Sequence, residues 1–78
     1  MTRSEHIAWA KERAREHLKA GDLVQAFASF VSDMSKHPET AKQQDLPANV
    51  ERRRRITREI YFGKLTEGDL IAYIEGFL

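Results

Sequence analysis

Five arginines within one short stretch are the residues of this chain best suited to chemistry. They are Arg52, Arg53, Arg54, Arg55 and Arg58. A guanidinium group stays charged throughout the physiological pH range, and its planar donors match the oxygens of phosphates and carboxylates. The run therefore predicts contacts with an anionic partner, either an acidic protein surface or a nucleic acid.

Helical periodicity gives these arginines different positions. Arg53 falls three residues from both Val50 and Ile56, in the middle of an apolar arc, whereas Arg54 and Arg58 form an i, i+4 pair at its margin. We predict that Arg53, Arg54 and Arg58 contact the partner. The alternative is a solvated helix whose arginines lay their aliphatic stems over the edge of the core and pair with acidic neighbours.

Trp9 is the candidate apolar anchor for a partner. It projects roughly opposite Ile7 and Leu18 on a helix, and tryptophan is enriched at interface hot spots. The alternatives are that a connecting segment folds over Trp9 or that its helix is buried on two sides. We expect Tyr61 on the buried arc of its own helix, and Phe62 to be packed by the turn that follows.

No set of side chains predicts catalysis. Ser29 and Ser32 are expected on the outer face of their helix, next to Asp33, and no histidine is placed to activate them. The three histidines are too scattered for a metal site, and the chain has no cysteine. They are His6, His17 and His37. We therefore predict that the protein is not an enzyme and uses no metal or other cofactor.

Composition indicates one small globular domain over residues 1–78. Of the 78 residues, 41% are hydrophobic and 32% are charged, and the formal net charge is +1. This balance is typical of a folded chain, and so small a net charge predicts no strong general attraction to nucleic acid or membrane. No apolar run approaches the roughly 20 residues that span a bilayer, and the polar start does not look like a signal peptide. We expect a cytoplasmic protein.

Apolar periodicity and capping residues predict an all-α fold, a compact bundle of four helices or of three plus a short connector helix. The four segments run from Arg3 to Lys19, from the N-cap Asp22 to about Lys36, from Pro47 to about Tyr61, and from the N-cap Thr66 towards the last residues. The stretch from Glu39 to Asp45 is polar and aperiodic, and both a loop and an extra turn of helix stay open. The last helix is expected to bury Leu70, Ile71, Ile74, Phe77 and Leu78, with Tyr73 at the edge of that face.

Several segments of the chain carry a resemblance to known sequences. They are His6–Ala14, Gly21–Asp22 with Ala26–Phe30, Ser32–Thr40, and Ile74–Phe77. Together they resemble a group of small uncharacterised proteins encoded by bacteriophages and prophages. The resemblance covers about the first forty residues and the last dozen; between them, Asn49 to Arg58 is basic where the group has an apolar helix. It implies a phage origin and action in the cytoplasm of a bacterial host, and it implies no activity.

Three hypotheses about function follow. The first is a phage-type accessory protein that binds a host or phage protein with an acidic surface and modulates or inhibits it. The second is a nucleic-acid-binding protein or small regulator that places the same arginines on phosphates. The third is a structural or assembly protein that forms a homodimer through the arginine-bearing face.

Overall fold

The computed structural model describes all residues from 1 to 78 and contains five α-helices and no strand. The all-α prediction is confirmed. The helices are α1 (Arg3–Lys19), α2 (Leu23–Met34), α3 (Pro38–Gln44), α4 (Pro47–Tyr61) and α5 (Glu67–Glu75). None of them combines the length and the hydrophobicity that crossing a bilayer requires.

Local capping residues start the helices where the sequence predicts. Thr2 and Glu5 form a reciprocal capping box at the start of α1, because the Thr2 hydroxyl accepts from the Glu5 N–H and the Glu5 carboxylate accepts from the Thr2 N–H. The Asp22 side chain caps α2, and the Thr66 hydroxyl caps α5. Each cap satisfies backbone donors that a helix leaves free in its first turn. The first residue of each of these helices is therefore determined by side chains within a few positions of it.

The segment left open by the sequence forms the short helix α3. Its N-cap is His37, whose Nδ1 accepts the Glu39 N–H at 3.1 Å, and Pro38 occupies the first helical position, where a missing N–H costs nothing. Thr40 is fully buried and donates its hydroxyl to the carbonyl oxygens of Met34 and His37. This bond fixes α3 directly behind the end of α2. The connector is thus an ordered fifth element.

The core is one cluster at the junction of α1, α2, α4 and α5. Its members are Ile7, Ala10, Ala14, Ala26, Phe30, Met34, Ile56, Leu70, Tyr73, Ile74 and Phe77. Small residues of α1 let α2 approach closely, and the rings of Phe30, Tyr73 and Phe77 pack edge to face or tilted. The rim of the last helix differs from the prediction: Ile71 is 40% exposed and Leu78 is 84% exposed, while Tyr73 is buried. Because α1, α2 and α4 together cover only part of the circumference of α5, its apolar residues extend beyond the buried contact.

Arg52 ties α4 to α5. Its Nη2 donates to the Tyr73 carbonyl oxygen at 2.6 Å, its Nη1 donates to Asn49 Oδ1 at 2.9 Å, and its guanidinium lies over the Tyr73 and Phe77 rings. A cation in the last turn of a helix is favoured by the partial negative charge of the free carbonyl groups. Of the five arginines, Arg52 therefore has a structural role, and it fixes the direction in which the other side chains of α4 point.

Candidate partner-binding face

One side of α4 carries a row of exposed cationic and aromatic side chains, here called the α4 stripe. It consists of Arg54, Arg58, Tyr61 and Phe62. The spacings of four, three and one residues place these side chains within about a quarter of the helix circumference. Since Arg52 and Ile56 on another side of the helix face α5 and the core, the stripe points outward.

The charges of α4 are only partly neutralised by its own carboxylates. Glu51 accepts from Arg54 at 3.3 Å, and Glu59 accepts from Arg55 at 3.2 Å. Arg58 donates no hydrogen bond to another side chain, and no carboxylate of the chain lies within 4.0 Å of its guanidinium. Surface pairs such as Arg54 with Glu51 contribute at most about 1 kcal/mol, so an acidic partner can exchange with Glu51 at little cost. The stripe therefore offers one free cation and one that is weakly held.

The aromatic end of the stripe was predicted incorrectly. Tyr61, expected on the buried arc, is 83% exposed, and Phe62, expected under the next turn, is 65% exposed. The two rings contact each other edge to face, with centroids 5.2 Å apart. The chain leaves α4 through Gly63, whose φ of +67° favours glycine, and the turn that follows leaves both rings exposed. The sequence did carry a signal for this arrangement: Tyr61 lies three residues and Phe62 four residues after Arg58, which places both rings on the same side of the helix as Arg58.

Arg53, the first of the predicted contact residues, is largely withdrawn into the molecule. Only 27% of its side chain is exposed. Its Nη1 donates to the Gln44 carbonyl oxygen at 3.5 Å, and its Nη2 lies 3.9 Å from Asp45 Oδ1. The guanidinium thus lies at the C-terminal end of α3, where a cation is favoured by the helix dipole. Arg53 contributes to holding α3 against α4, and it does not belong to the stripe.

Trp9 is half-buried and lies among charged side chains instead of forming an exposed anchor. The Arg13 guanidinium is 5.0 Å and the Lys36 ammonium 5.7 Å from the Trp9 ring centroid, and the His6 ring lies 5.2 Å away. Cations over the face of an indole are attracted by its quadrupole. Trp9 therefore packs partly against the core and is flanked by Arg13 and His6 of its own helix and by Lys36, which follows α2. No hydrogen bond, cation–π contact or ring contact joins Trp9 to Arg54 or Arg58.

Asp33 holds this Trp9 network together. Of the group predicted on the outer face of α2, Ser32 is exposed as expected, but Ser29 is buried and only 1% of Asp33 is exposed, so the prediction was wrong for these two. Arg13 Nε donates to Oδ2 at 2.7 Å and Lys36 Nζ to Oδ1 at 2.9 Å. Burial by itself raises the pKa of Asp33, but the hydrogen bonds and charges of Lys36 and Arg13 outweigh burial and lower the pKa below its ordinary value of 3.8. Asp33 is therefore an ionised group within an ion-pair network between α1 and α2.

Two histidines distant in sequence meet beside this network. The His6 and His37 rings lie 5.2 Å apart, which the scattered positions in the sequence did not predict. His6 is buried with Nε2 2.6 Å from the Asp33 carbonyl oxygen, and His37 caps α3. No cluster of three or more histidine, aspartate or glutamate side chains is arranged to hold a metal ion. The geometry assigns structural contacts to both rings.

Comparison with protein-family models, with curated proteins and with solved structures finds no match. The resemblance to small phage-encoded proteins stays a prediction from the sequence. The assignment of a function consequently depends on the geometry and chemistry of the α4 stripe.

Proposed function

We propose that this protein acts by binding, and that the α4 stripe engages an acidic surface of a partner protein. The observation that carries the proposal is the free guanidinium of Arg58 beside the exposed rings of Tyr61 and Phe62. Arginine, tyrosine and other aromatic residues dominate the energetics of protein interfaces, because each buries a large area while retaining a polar or charged group for recognition. Together these side chains form a compact surface for an anionic partner.

The proposed mechanism is occlusion by a rigid helical face. The hydrogen bond from Arg52 to the Tyr73 carbonyl oxygen and the burial of Ile56 hold α4 in place. The backbone that carries the stripe therefore loses little conformational entropy on binding. Arg58 and Arg54 would pair with carboxylates of the partner, and the rings would exclude water from those pairs. The phage resemblance adds the proposal that the partner is a bacterial or phage protein, which binding modulates or inhibits in the host cytoplasm.

A matched pair of charge reversals tests the proposal. Arg58→Glu removes the free cation of the stripe, whereas Lys42→Glu makes the same charge change at an exposed position on α3. Proteins captured from a bacterial lysate by the wild-type chain are purified and titrated against both variants. We expect Arg58→Glu to weaken binding at least about tenfold, or about 1.4 kcal/mol, and Lys42→Glu to change it by less than about threefold.

The aromatic side chains provide a second measurement on the same partner. Tyr61→Ser combined with Phe62→Ser removes apolar contact area without changing charge, and the exposure of both rings predicts little effect on folding. We expect a further tenfold loss of affinity, mainly through faster dissociation. A partner whose affinity is unaffected by both the charge reversal and the aromatic substitutions would contradict the proposal.

Nucleic acid is the second candidate, and the exposed aromatic pair is the observation that favours it. Bases stack on aromatic side chains in single-strand-binding proteins, next to cations that contact phosphates. Arg54 and Arg58 on phosphates predict that affinity for a single-stranded oligonucleotide falls with salt with a log–log slope of about 1 to 2. Fluorescence anisotropy at low salt measures this, and absence of binding there would remove the candidate.

A homodimer through the α4 stripe is disfavoured by its charge. Two copies that meet through the stripe bring four guanidinium groups and no carboxylate of the stripe into one interface, because Arg54 and Arg58 are its only charged members. Like charges in contact oppose association. The third hypothesis from the sequence therefore finds no support at this face.

A further inference from the structure

A second surface with different chemistry lies between the C-terminal half of α1 and α5. It is an open groove of about 270 Å³, here called the α1–α5 groove, lined by Arg15, Leu18, Lys19, Glu67, Ile71, Ile74 and Glu75. Ile74 is buried, whereas Leu18 is half-buried and Ile71 is 40% exposed, so the middle of the groove is apolar and partly open to solvent. The α4 stripe contributes no residue to it.

The charges at the two edges of the groove are opposite in sign. The α1 edge carries Arg15 and Lys19, and the α5 edge carries Glu75 and Glu67. Arg15 donates to Glu75 at 2.8 Å, so these two residues lie at one end of the groove. Lys19 lies one turn beyond Arg15, while Glu67 lies two turns before Glu75. Neither Lys19 nor Glu67 forms a salt bridge with any residue from 1 to 78.

This distribution is complementary to itself. When a two-fold axis lies along the groove, the α1 edge of one copy faces the α5 edge of the other. Lys19 then faces Glu67 of the second copy, and the same contact occurs twice by symmetry. The apolar residues Leu18 and Ile71 meet their counterparts in the middle. A face with a single sign of charge, such as the α4 stripe, lacks this property.

We propose that the α1–α5 groove is the contact surface of a two-fold symmetric homodimer. The dimer leaves the α4 stripes of both copies free, and it presents them as a pair to a partner. The inference is independent of the proposed function, because the groove and the stripe share no residue. Since the apolar part of the groove is small, association is expected to be weak, in the range of interfaces that bury less than about 1,200 Å².

Sedimentation of the full chain tests the proposal directly. We expect the weight-average mass to rise from the monomer value of 9.0 kDa towards twice that value between about 10 µM and about 1 mM protein, the range in which weak interfaces associate. Ile71→Glu places a charge in the apolar middle and should lower the association constant at least about tenfold. Helical circular dichroism of this variant verifies that the monomer remains folded.

A charge exchange distinguishes specific pairing from general adhesion. Lys19→Glu creates two like-charge contacts with Glu67 by symmetry and should weaken association about tenfold, whereas Lys19→Glu combined with Glu67→Lys should restore it to within about threefold of wild type. Lys42→Glu, outside the groove, serves as the control and should have no effect. The proposal is overturned by a chain that stays monomeric at the highest concentration, by undiminished association of Ile71→Glu, or by a double exchange that fails to restore association.

Discussion

Replacing Asp33 by asparagine tests whether the buried ion-pair network stabilises the junction of α1 and α2. The substitution keeps the size of the side chain but removes its charge. Asp33 accepts from Arg13 at 2.7 Å and from Lys36 at 2.9 Å, and it lies 3.5 Å from the Ser29 hydroxyl. In the variant the amide retains one acceptor oxygen and turns an NH₂ group towards a cation.

The expected loss of stability follows from how far each partner is exposed. A hydrogen bond to a charged group contributes about 1.5–3 kcal/mol to stability. The Arg13 and Lys36 side chains are 49% and 55% exposed, so water can hydrate both cations in the variant. We therefore reduce the expected contribution of each hydrogen bond to stability to about 1 kcal/mol. The free energy of unfolding should fall by about 2 kcal/mol, which for a domain of this size lowers Tm by about 10 °C.

Thermal unfolding at several pH values provides the assay, with circular dichroism for helix content and fluorescence of Trp9, the single tryptophan, for the network itself. Because the pKa of Asp33 is lowered in the folded chain, its carboxylate stabilises the fold above the unfolded pKa near 3.8, and this contribution is lost as pH falls through the folded pKa. The difference in Tm between the wild-type chain and Asp33→Asn should therefore shrink as the solution is acidified.

Asp45→Asn is the matched control, since Asp45 is exposed and lies 3.9 Å from Arg53; it should change stability by less than about 0.5 kcal/mol. Equal melting temperatures of wild type and Asp33→Asn at neutral pH would refute the assigned role. So would a difference between them that does not shrink as pH falls below 3.8, since the unfolded chain then takes up a proton at Asp33 more readily than the folded chain does.

Three further predictions concern glycines and a helix cap, and each is measured as a change in the free energy of unfolding by urea or heat. A Cβ at Gly76 would lie 2.8 Å from the Arg52 guanidinium carbon, so Gly76→Ala should displace Arg52 and cost about 1–2 kcal/mol, a loss that disappears when Arg52 is already alanine. Gly63→Ala should cost about 1 kcal/mol because φ is +67° there, whereas Gly68→Ala, in open space within α5, should gain about 0.5 kcal/mol; equal effects at the two glycines would contradict this reasoning. His37→Ala removes the N-cap of α3 and should cost about 1 kcal/mol, and an unchanged stability would show that α3 does not depend on its cap.

The helices were predictable because their signals are local. The capping residues Thr2, Asp22 and Thr66 lie within three positions of the N–H groups that they satisfy, and the predicted starts agree with the structure. Gly63 has the positive φ expected of a residue that ends α4. The short helix α3 was left open because its polar sequence has no apolar period, and its position depends on the burial of Thr40 behind α2.

The candidate site was only partly predictable. Arg54 and Arg58 are exposed as expected, but the prediction for Arg53 did not account for the C-terminal end of α3, which accepts its guanidinium. Helical periodicity gives the direction in which a side chain projects from its helix. It does not show whether another helix packs against that side of the helix. For this reason Tyr61 was expected inside the molecule and is found outside it.

By itself, the amino-acid sequence determined where four of the five helices begin and that the chain forms an all-helical domain, because backbone capping and apolar periodicity act over a few residues. Only the tertiary structure decided which arginine serves the fold and which remains free. Arg52 reaches the Tyr73 carbonyl across twenty-one positions, and Arg58 meets no acid at all. The physical reason is that a guanidinium is neutralised by whatever group packing brings within a few ångströms, and that group need not be near it in sequence.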